Sequence, residues 1–253
     1  MSERWPLKLW VVRHGESAGN VARDAAHAAG LQHIDISTRD VDVPLSSLGR
    51  RQSRALGGWF AALAREARPD VVLSSPYFRA QSTAKIIGET SGFAESCSGI
   101  VVDERLRERE FGILDRLTRL GIEQRYPGLA ETRQSVGKFY YRPPAGESWC
   151  DVILRLRSVI DTLSLHYGGK RVLIVAHQVV VLCMRYLIEN MDEKMILDID
   201  AEGDVANCAV TEYVFDITRN DGSLVLTKYN FVAPLAREGA PVTSTPDANI
   251  AVR

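Results

Sequence analysis

The amino-acid sequence predicts one α/β domain, arranged in three layers with a mostly parallel central sheet and helices on both faces. Four short apolar runs have the length of buried strands, and segments with helical periodicity lie between them. No credible linker divides the 253-residue chain. We therefore expect a single domain over residues 1–233. A loose tail over residues 234–253, rich in Ala, Pro and Thr, is expected to follow.

The strands are predicted from short apolar runs that end at polar or turn-forming residues. The four candidates for the parallel part of the sheet are residues 7–12, 70–74, 100–103 and 171–176. Two later runs, residues 210–216 and 224–231, flank the turn-forming segment 218–222. This pattern predicts a β-hairpin.

The helices are predicted from cap residues and from apolar positions at helical spacing. Ser46 or Ser47 can cap a helix that continues to about Ala67, before Pro69 stops it. Further helical patterns cover residues 78–90, 147–167 and 178–190. The last of these is apolar nearly all round, which indicates a buried helix.

Composition and charge argue against several classes of partner. The formal net charge is −1, so the chain as a whole has no attraction for nucleic acid or for an anionic membrane. No apolar run approaches the length of a membrane span, and the N-terminal residues lack a signal-peptide pattern. The four cysteines show neither close pairing nor the spacing of a zinc site. We expect a protein of the reduced cytoplasm that holds no metal.

Polar residues follow each of the four strands predicted to be parallel. They are Arg13 and His14 after the first, Ser75 and Arg79 after the second, Glu108 after the third, and His177 and Gln178 after the fourth. In open α/β sheets ligands bind at the carboxyl ends of the strands. A histidine there can act as a base, a metal ligand or a nucleophile, and an arginine suits phosphate. Arg79 could instead be a solvated helix residue and His177 a core histidine, but their joint occurrence at strand ends favours a site.

Six short motifs occur in a fixed order over residues 7–190. They are Arg13-His14-Gly15-Glu16-Ser17 with Asn20; Asp42-Val43-Pro44-Leu45 with Leu48-Gly49-Arg50; Ser74-Ser75-Pro76 with Arg79-Ala80 and Thr83-Ala84; Leu106-Arg107-Glu108 with Phe111-Gly112; Gly146-Glu147-Ser148; and Val175-Ala176-His177. Each motif is weak alone. Taken together and in this order, they resemble the histidine phosphatase superfamily, in its phosphoglycerate mutase-like group.

That resemblance implies catalysis by phosphoryl transfer to a histidine. His14 matches the nucleophile of the family. Arg13, Arg79 and a protonated His177 match the pocket that offsets the charge of the phosphoryl group. Glu108 matches the acid that protonates the leaving alkoxide and later takes a proton from the attacking water.

The resemblance also implies roles for further residues. Asn20 and Gln178 match positions that add neutral hydrogen bonds to phosphate oxygens. Glu110 is an alternative acid, ranked below Glu108 because Glu108 occupies the family's place after Leu106-Arg107. The chemistry implied by the family needs neither a metal ion nor a cofactor, because the cationic residues supply the positive charge.

A segment over about residues 112–146 is predicted to form a cap and to distinguish the branches of the family. Classical mutases carry tandem arginines there, and no such pair occurs between Gly112 and Arg142. The segment, like the pair His177-Gln178, is similar instead to the fructose-2,6-bisphosphatase branch. By that similarity Arg133 and Lys138 would hold a second phosphate from a loop over the site; otherwise they are solvated surface.

The similarity to that branch is incomplete. Arg119 and Trp149 stand near or at positions of tyrosines that contact the substrate there, and Leu182 stands at the position of an arginine. We therefore expect a phosphatase for a small phosphorylated metabolite of the sugar phosphate or bisphosphate class. The alternatives are a cofactor-dependent phosphoglycerate mutase and an inactive family member that serves as an interaction module. The protein could form a homodimer.

Overall fold

A six-stranded mixed sheet runs through the computed structural model, which describes residues 4–93, 99–219 and 222–244. The strands are β1 (Lys8–Arg13), β2 (Val71–Ser74), β3 (Ile100–Val102), β4 (Arg171–Ala176), β5 (Val210–Asp216) and β6 (Ser223–Phe231). They lie in the order β3-β2-β4-β1-β5-β6. Pairing is parallel from β3 to β1, and β5 is antiparallel to both of its neighbours. The prediction of a mostly parallel sheet is confirmed.

Helices cover both faces of this sheet. They are α1 (Ala18–Ala28), α2 (Ser47–Ala61), α3 (Phe78–Ser91), α4 (Arg119–Arg125), α5 (Pro127–Val136), α6 (Trp149–His166), α7 (Gln178–Ile188), α8 (Glu193–Glu202) and α9 (Ala233–Arg237). Along β1, Leu9 and Val11 pack with α6 and α7, whereas Trp10 and Val12 pack with α2 and α3. Because strand side chains alternate between faces, one strand contributes to both cores. The predicted three-layer arrangement is confirmed.

Most predicted helices begin where expected, and one ends earlier. Ser46 caps α2 by accepting a hydrogen bond from the Gly49 N–H. The helix stops at Ala61 instead of continuing to Ala67. Arg68 accounts for this end, since its guanidinium donates to the carbonyl oxygens of Ala61 and Leu63. A basic side chain that binds the last carbonyls of a helix stabilises its C-terminus.

Two parts of the chain predicted to lack regular structure are ordered. The cap segment contains α4 and α5, so the prediction of a loop there is wrong. Pro127 occupies the first turn of α5 and Gly137 follows its last residue, which are the usual start and stop signals of a helix. The prediction of a loose tail from Pro234 is also wrong for residues 234–244. Leu235 of α9 is fully buried in the core against α2 and α3.

One predicted turn lies partly outside the described residues, and two helices of the structure were not predicted. The hairpin of β5 and β6 is present, but residues 220–221 of its predicted turn lie outside the described part, as does Cys97. Helices α1 and α8 were not predicted from the sequence. None of the helices within residues 4–93, 99–219 and 222–244 is long and apolar enough to cross a membrane.

Candidate active site

Two histidines lie together where β1 and β4 end. His14 follows β1 and His177 follows β4, and the backbone N–H of His14 donates to the Ala176 carbonyl at 2.9 Å. Both imidazoles are fully buried, and their ring centroids are 5.1 Å apart with the rings edge to face. The parallel pairing of β1 with β4 therefore places two histidines from distant parts of the sequence side by side.

The ring of His14 is held in one tautomer. Its Nδ1 lies 2.7 Å from the carbonyl oxygen of Gly15. Because a carbonyl only accepts hydrogen bonds, Nδ1 carries the proton and Nε2 carries the lone pair. Nε of Arg79 donates to this lone pair at 3.2 Å. His14 thus presents the unprotonated nitrogen that a nucleophile requires.

Arg79 connects His14 to an aspartate that the sequence analysis missed. Its guanidinium Nη1 donates to the backbone oxygen of Asp40 at 2.7 Å and to Oδ1 at 2.9 Å, and Nη2 lies 3.3 Å from Oδ2. The guanidinium also lies over the Tyr77 ring, 4.8 Å from its centroid. Asp40 precedes the motif that begins at Asp42 by two residues, but nothing in the sequence links it to Arg79.

His177 is placed between a hydroxyl and a carboxylate. Its Nε2 is 2.8 Å from Oγ of Ser75, and its Nδ1 is 3.9 Å from Oε2 of Glu108. Glu108 is buried, and its Oε1 accepts the backbone N–H of Arg109 at 2.7 Å. At this separation a protonated His177 and an ionised Glu108 form an ion pair. A carboxyl group able to exchange a proton and an imidazole able to carry a positive charge therefore share one wall of the site.

The structure also separates the two candidate acids. Glu110 is exposed and accepts a hydrogen bond from the Tyr77 hydroxyl at 3.0 Å. Burial, reinforced by the negative charge of Glu110, raises the pKa of that tyrosine well above its ordinary value. Of the two candidate acids, Glu108 is the one that lies against His177. Glu108 is also the acid that the motif Leu106-Arg107-Glu108 favours.

Arg13 completes the group of buried ionisable residues at this edge. Its side chain is fully buried, and Nη1 donates to the backbone oxygen of Val205 at 2.6 Å. Its own carbonyl accepts the N–H of Cys208, so both ends of the residue are fixed. An arginine held in one conformation loses little entropy when it binds an anion.

Asn20 and Gln178 have structural partners at the edge of this group. Oδ1 of Asn20 accepts from the backbone N–H and the hydroxyl of Ser17, each at 2.9 Å, and so completes the cap of α1. Nε2 of Gln178 donates to Oδ1 of Asp204 at 2.8 Å. Direct contacts of Asn20 and Gln178 with phosphate stay predictions.

Comparison with known proteins identifies the family. The model of the histidine phosphatase superfamily (branch 1) matches residues 9–230. The chain belongs to this superfamily. Within it, the chain is 32% identical over 167 residues to the phosphoglycerate mutase-like protein AT74H of Arabidopsis thaliana, covering 62% of this chain and 53% of that protein. The alignment thus spans about half the length of this relative.

Solved structures of other proteins share this histidine phosphatase fold. YhfR of Bacillus stearothermophilus superposes with a TM-score of 0.67 at 25% identity, covering 90% of this chain and 98% of that one. A mycobacterial glucosyl-3-phosphoglycerate phosphatase bound to inorganic phosphate superposes with a TM-score of 0.66 at 24% identity, with the same coverage. The fold is therefore that of the superfamily. A place in the fructose-2,6-bisphosphatase branch stays a prediction.

Of the predicted site residues, Arg79 and Glu108 line one pocket, which is not bordered by Arg133 and Lys138. They border a separate depression on the cap, together with Arg119 and Glu123. Lys138 forms an ion pair with Asp200 of α8. Arg133 is buried, and its Nε and Nη2 have no hydrogen-bond partner among the described residues. Burial, and then the nearby charge of Arg109, lower the pKa of Arg133 to about 10.

The pocket beside Arg79 and Glu108 is lined instead by α1, the loop before α2 and the start of the cap. Its lining residues are Ser17, Gly19, Arg23, Ile34, Ile36, Asp40, Val43, Arg79, Glu108, Phe111, Leu114, Asp115, Arg116 and Leu117. Most of these residues belong to no family motif found in the sequence. Arg116 adopts a positive φ of 59° and donates to the carbonyl oxygens of Ile36 and Thr38, so it ties the loop to the cap.

The segment that carries His14 is fixed by residues from the far end of the chain. Nδ2 of Asn207 donates to the His14 carbonyl at 3.0 Å, and Oε1 of Gln52 accepts the Glu16 N–H at 2.9 Å. Thr243 joins these two supports, since its Oγ1 accepts from Gln52 at 3.0 Å and donates to Asn207 at 2.9 Å. The segment predicted to be loose thus supports the backbone around His14.

Proposed function

We propose that this histidine phosphatase hydrolyses a phosphate monoester through a phosphohistidine on Nε2 of His14. The observation that carries the proposal is the fixed tautomer of His14, which directs a lone pair toward buried cationic groups. Arg13, Arg79 and a protonated His177 offset the negative charge of the phosphoryl group as it is transferred.

In the first step, Nε2 of His14 attacks phosphorus and the bond to the ester oxygen breaks. Glu108, protonated at this stage, gives its proton to the departing alkoxide. Arg79 turns its Nε–H from the His14 lone pair to a phosphate oxygen as the new P–N bond forms. The products of this step are the alcohol and phosphohistidine.

In the second step, Glu108 is ionised and acts as a base. It accepts a proton from water while the water oxygen attacks phosphorus and the P–N bond of phosphohistidine breaks. Inorganic phosphate leaves, His14 regains its neutral ring and Glu108 regains its proton. The cationic residues supply the positive charge throughout, so activity is expected to survive EDTA.

The proposed substrate class rests on the family and on one solved relative. We propose a small phosphorylated metabolite, in the sugar phosphate or bisphosphate class. A phosphatase for glucosyl-3-phosphoglycerate with the same fold supports a sugar-related substrate. We further propose a cytoplasmic enzyme that binds neither nucleic acid nor membranes, and the homodimer stays a prediction.

Mutase activity is the alternative that one comparison favours, because the relative AT74H is named for phosphoglycerate mutase. The missing tandem arginines of the cap favour hydrolysis. The test measures release of inorganic phosphate from p-nitrophenyl phosphate and from a panel of metabolites. It also measures isomerisation of 3-phosphoglycerate in the presence of 2,3-bisphosphoglycerate.

We expect hydrolysis that resists EDTA and little isomerisation. Efficient isomerisation would replace the phosphatase proposal with the mutase. A folded protein that releases no phosphate from any of these substrates would favour an inactive member that serves as an interaction module.

A further inference from the structure

One pocket adjoins Arg79 and Glu108, and it is the space into which the alcohol part of a phosphate monoester would extend. Six of its fourteen lining residues have apolar side chains, and they are Ile34, Ile36, Val43, Phe111, Leu114 and Leu117. Such a wall favours the burial of carbon groups over a fully hydroxylated sugar surface. The alcohol part of the substrate is therefore expected to have an apolar body.

The wall is also fixed before a ligand binds. Arg116 donates to two carbonyls of the loop, and the Ile34 N–H donates back to the Arg116 carbonyl at 2.9 Å. His33 and Leu117 add an isolated antiparallel bridge between the same two segments. A pocket that already has a fixed shape loses little conformational entropy when it binds its ligand.

The three carboxylates of this pocket have their own partners. Asp40 binds Arg79, and Asp115 lies 3.7 Å from Arg116. Glu108 faces His177 and accepts the N–H of the next residue. These acidic groups therefore do not offer an open carboxylate to a cationic substrate.

Arg23 adds a positive charge to the same wall. It lies on α1 three residues after Asn20, so both side chains share one face of the helix. The side chain is 4% exposed, and it lines the pocket with Arg79 and Glu108. A guanidinium in a partly apolar wall recognises a carboxylate more strongly than one on an exposed surface.

We infer that Arg23 binds a carboxylate on the alcohol part of the substrate. The ligand class is a phosphate monoester whose alcohol has an apolar body and one acidic group. This inference rests on the proposed phosphatase function, and it replaces the sugar phosphate class with esters of a less hydroxylated, acidic alcohol. It assigns recognition of the second acidic group to Arg23, whereas the similarity to bisphosphatases assigns it to Arg133 and Lys138.

The test compares phenyl phosphate with two larger esters that match each other in size, 3-carbamoylphenyl phosphate and 3-carboxyphenyl phosphate. The wild type should prefer the carboxylated ester over the neutral amide by about 10-fold or more in kcat/KM. In Arg23→Met, which keeps an aliphatic stem for packing, this ratio should fall toward one. Arg23→Lys should keep part of the preference because it keeps the charge.

Two control variants test whether Arg23, and not another arginine, binds the carboxylate. Arg39→Met removes an exposed arginine of the neighbouring loop, which pairs with Asp42, and should keep the wild-type ratio. Arg133→Met should also keep it. If Arg133→Met loses the preference for the carboxylated ester and Arg23→Met keeps it, carboxylate binding belongs to the cap.

The possible outcomes distinguish the inference from the function it rests on. Turnover of phenyl phosphate with no preference for the carboxylated ester in the wild type would overturn the role of Arg23 and leave the phosphatase intact. This outcome needs no variant, so a folding defect in Arg23→Met does not obscure it. Failure of the folded wild type to turn over any of the esters would overturn both.

Discussion

Nε of Arg79 lies 3.2 Å from Nε2 of His14, while the two terminal nitrogens of the same guanidinium bind Asp40. One arginine therefore contacts His14 and a carboxylate at once. A carboxylate has the planar oxygen pair that suits the guanidinium fork, as phosphate oxygens do. Asp40 thus binds the Arg79 donors that a phosphoryl group would need.

The first prediction concerns competition between Asp40 and phosphate. Asp40→Asn removes a negative charge beside the phosphate site and weakens the hold on Arg79. We expect the Kd for inorganic phosphate, measured by calorimetry, to fall about 10-fold, which corresponds to about 1.4 kcal/mol. Asp42→Asn, at a carboxylate paired with exposed Arg39, is the control and should change little. Weaker binding in Asp40→Asn would show that Asp40 supports the site.

The second prediction concerns Glu108 as the proton donor. A sugar alkoxide needs a proton to leave, whereas p-nitrophenolate leaves readily without one. Glu108→Gln should therefore reduce kcat for a sugar phosphate much more than kcat for p-nitrophenyl phosphate. Glu110→Gln is the matched control. Equal losses on both substrates would indicate a structural role, and a larger selective loss in Glu110→Gln would reassign the acid.

The third prediction concerns the support that the C-terminal segment gives to the backbone around His14. Thr243→Val keeps the shape of the side chain and removes its hydrogen bonds to Gln52 and Asn207. We expect kcat for p-nitrophenyl phosphate to fall about threefold, which corresponds to about 0.7 kcal/mol, with little change in KM. Thr132→Val on exposed α5 controls for the substitution itself. An unchanged kcat would show that the contacts of Thr243 only fasten the tail.

The fourth prediction concerns stability and its dependence on pH. Burial alone would raise the pKa of Glu212, but hydrogen bonds from Lys228, Thr227 and Trp10 outweigh it and hold the pKa below its ordinary value. A lowered folded-state pKa stabilises the protein above the unfolded pKa, and that contribution disappears as pH falls through the folded value. Glu212→Gln should lower the free energy of unfolding by about 1–3 kcal/mol at neutral pH.

Denaturant unfolding measured at several pH values checks this prediction. The difference between Glu212→Gln and the wild type should shrink below about pH 4, where free carboxylates become protonated. Glu123→Gln, at an exposed pair with Arg119, should show only a small difference at any pH. A difference for Glu212→Gln that stays constant down to acidic pH would contradict the assigned cause.

The strand ends could be predicted from sequence because the pattern that marks them is local. The apolar run before Arg13 and the abrupt change after Ala176 each indicate a buried strand that meets a polar edge. Parallel pairing then brings His14 and His177 together without any knowledge of side-chain contacts. The order of the family motifs along the chain then indicated which residues at these strand ends belong to one site.

The remaining features depend on contacts between distant segments. Asp40 reaches Arg79, and Thr243 reaches Gln52, only after the chain has folded, and neither pair has a local signature. The loop predicted around Arg133 was wrong because its aromatic and proline content outweighed the helix signals at Pro127 and Gly137 in the sequence interpretation. Tertiary burial of α9 likewise overrides a composition that is typical of a loose tail.

The central claim is that Nε2 of His14 carries the phosphoryl group. The most direct measurement quenches the wild type in base during turnover of a radiolabelled phosphate monoester and locates the label by peptide mapping. We expect a phosphoenzyme that is stable in base, labile in acid and confined to the peptide containing His14, and no label in folded His14→Ala. Substantial activity or labelling in His14→Ala, or a wild type that turns over without any labelled histidine, would contradict the account.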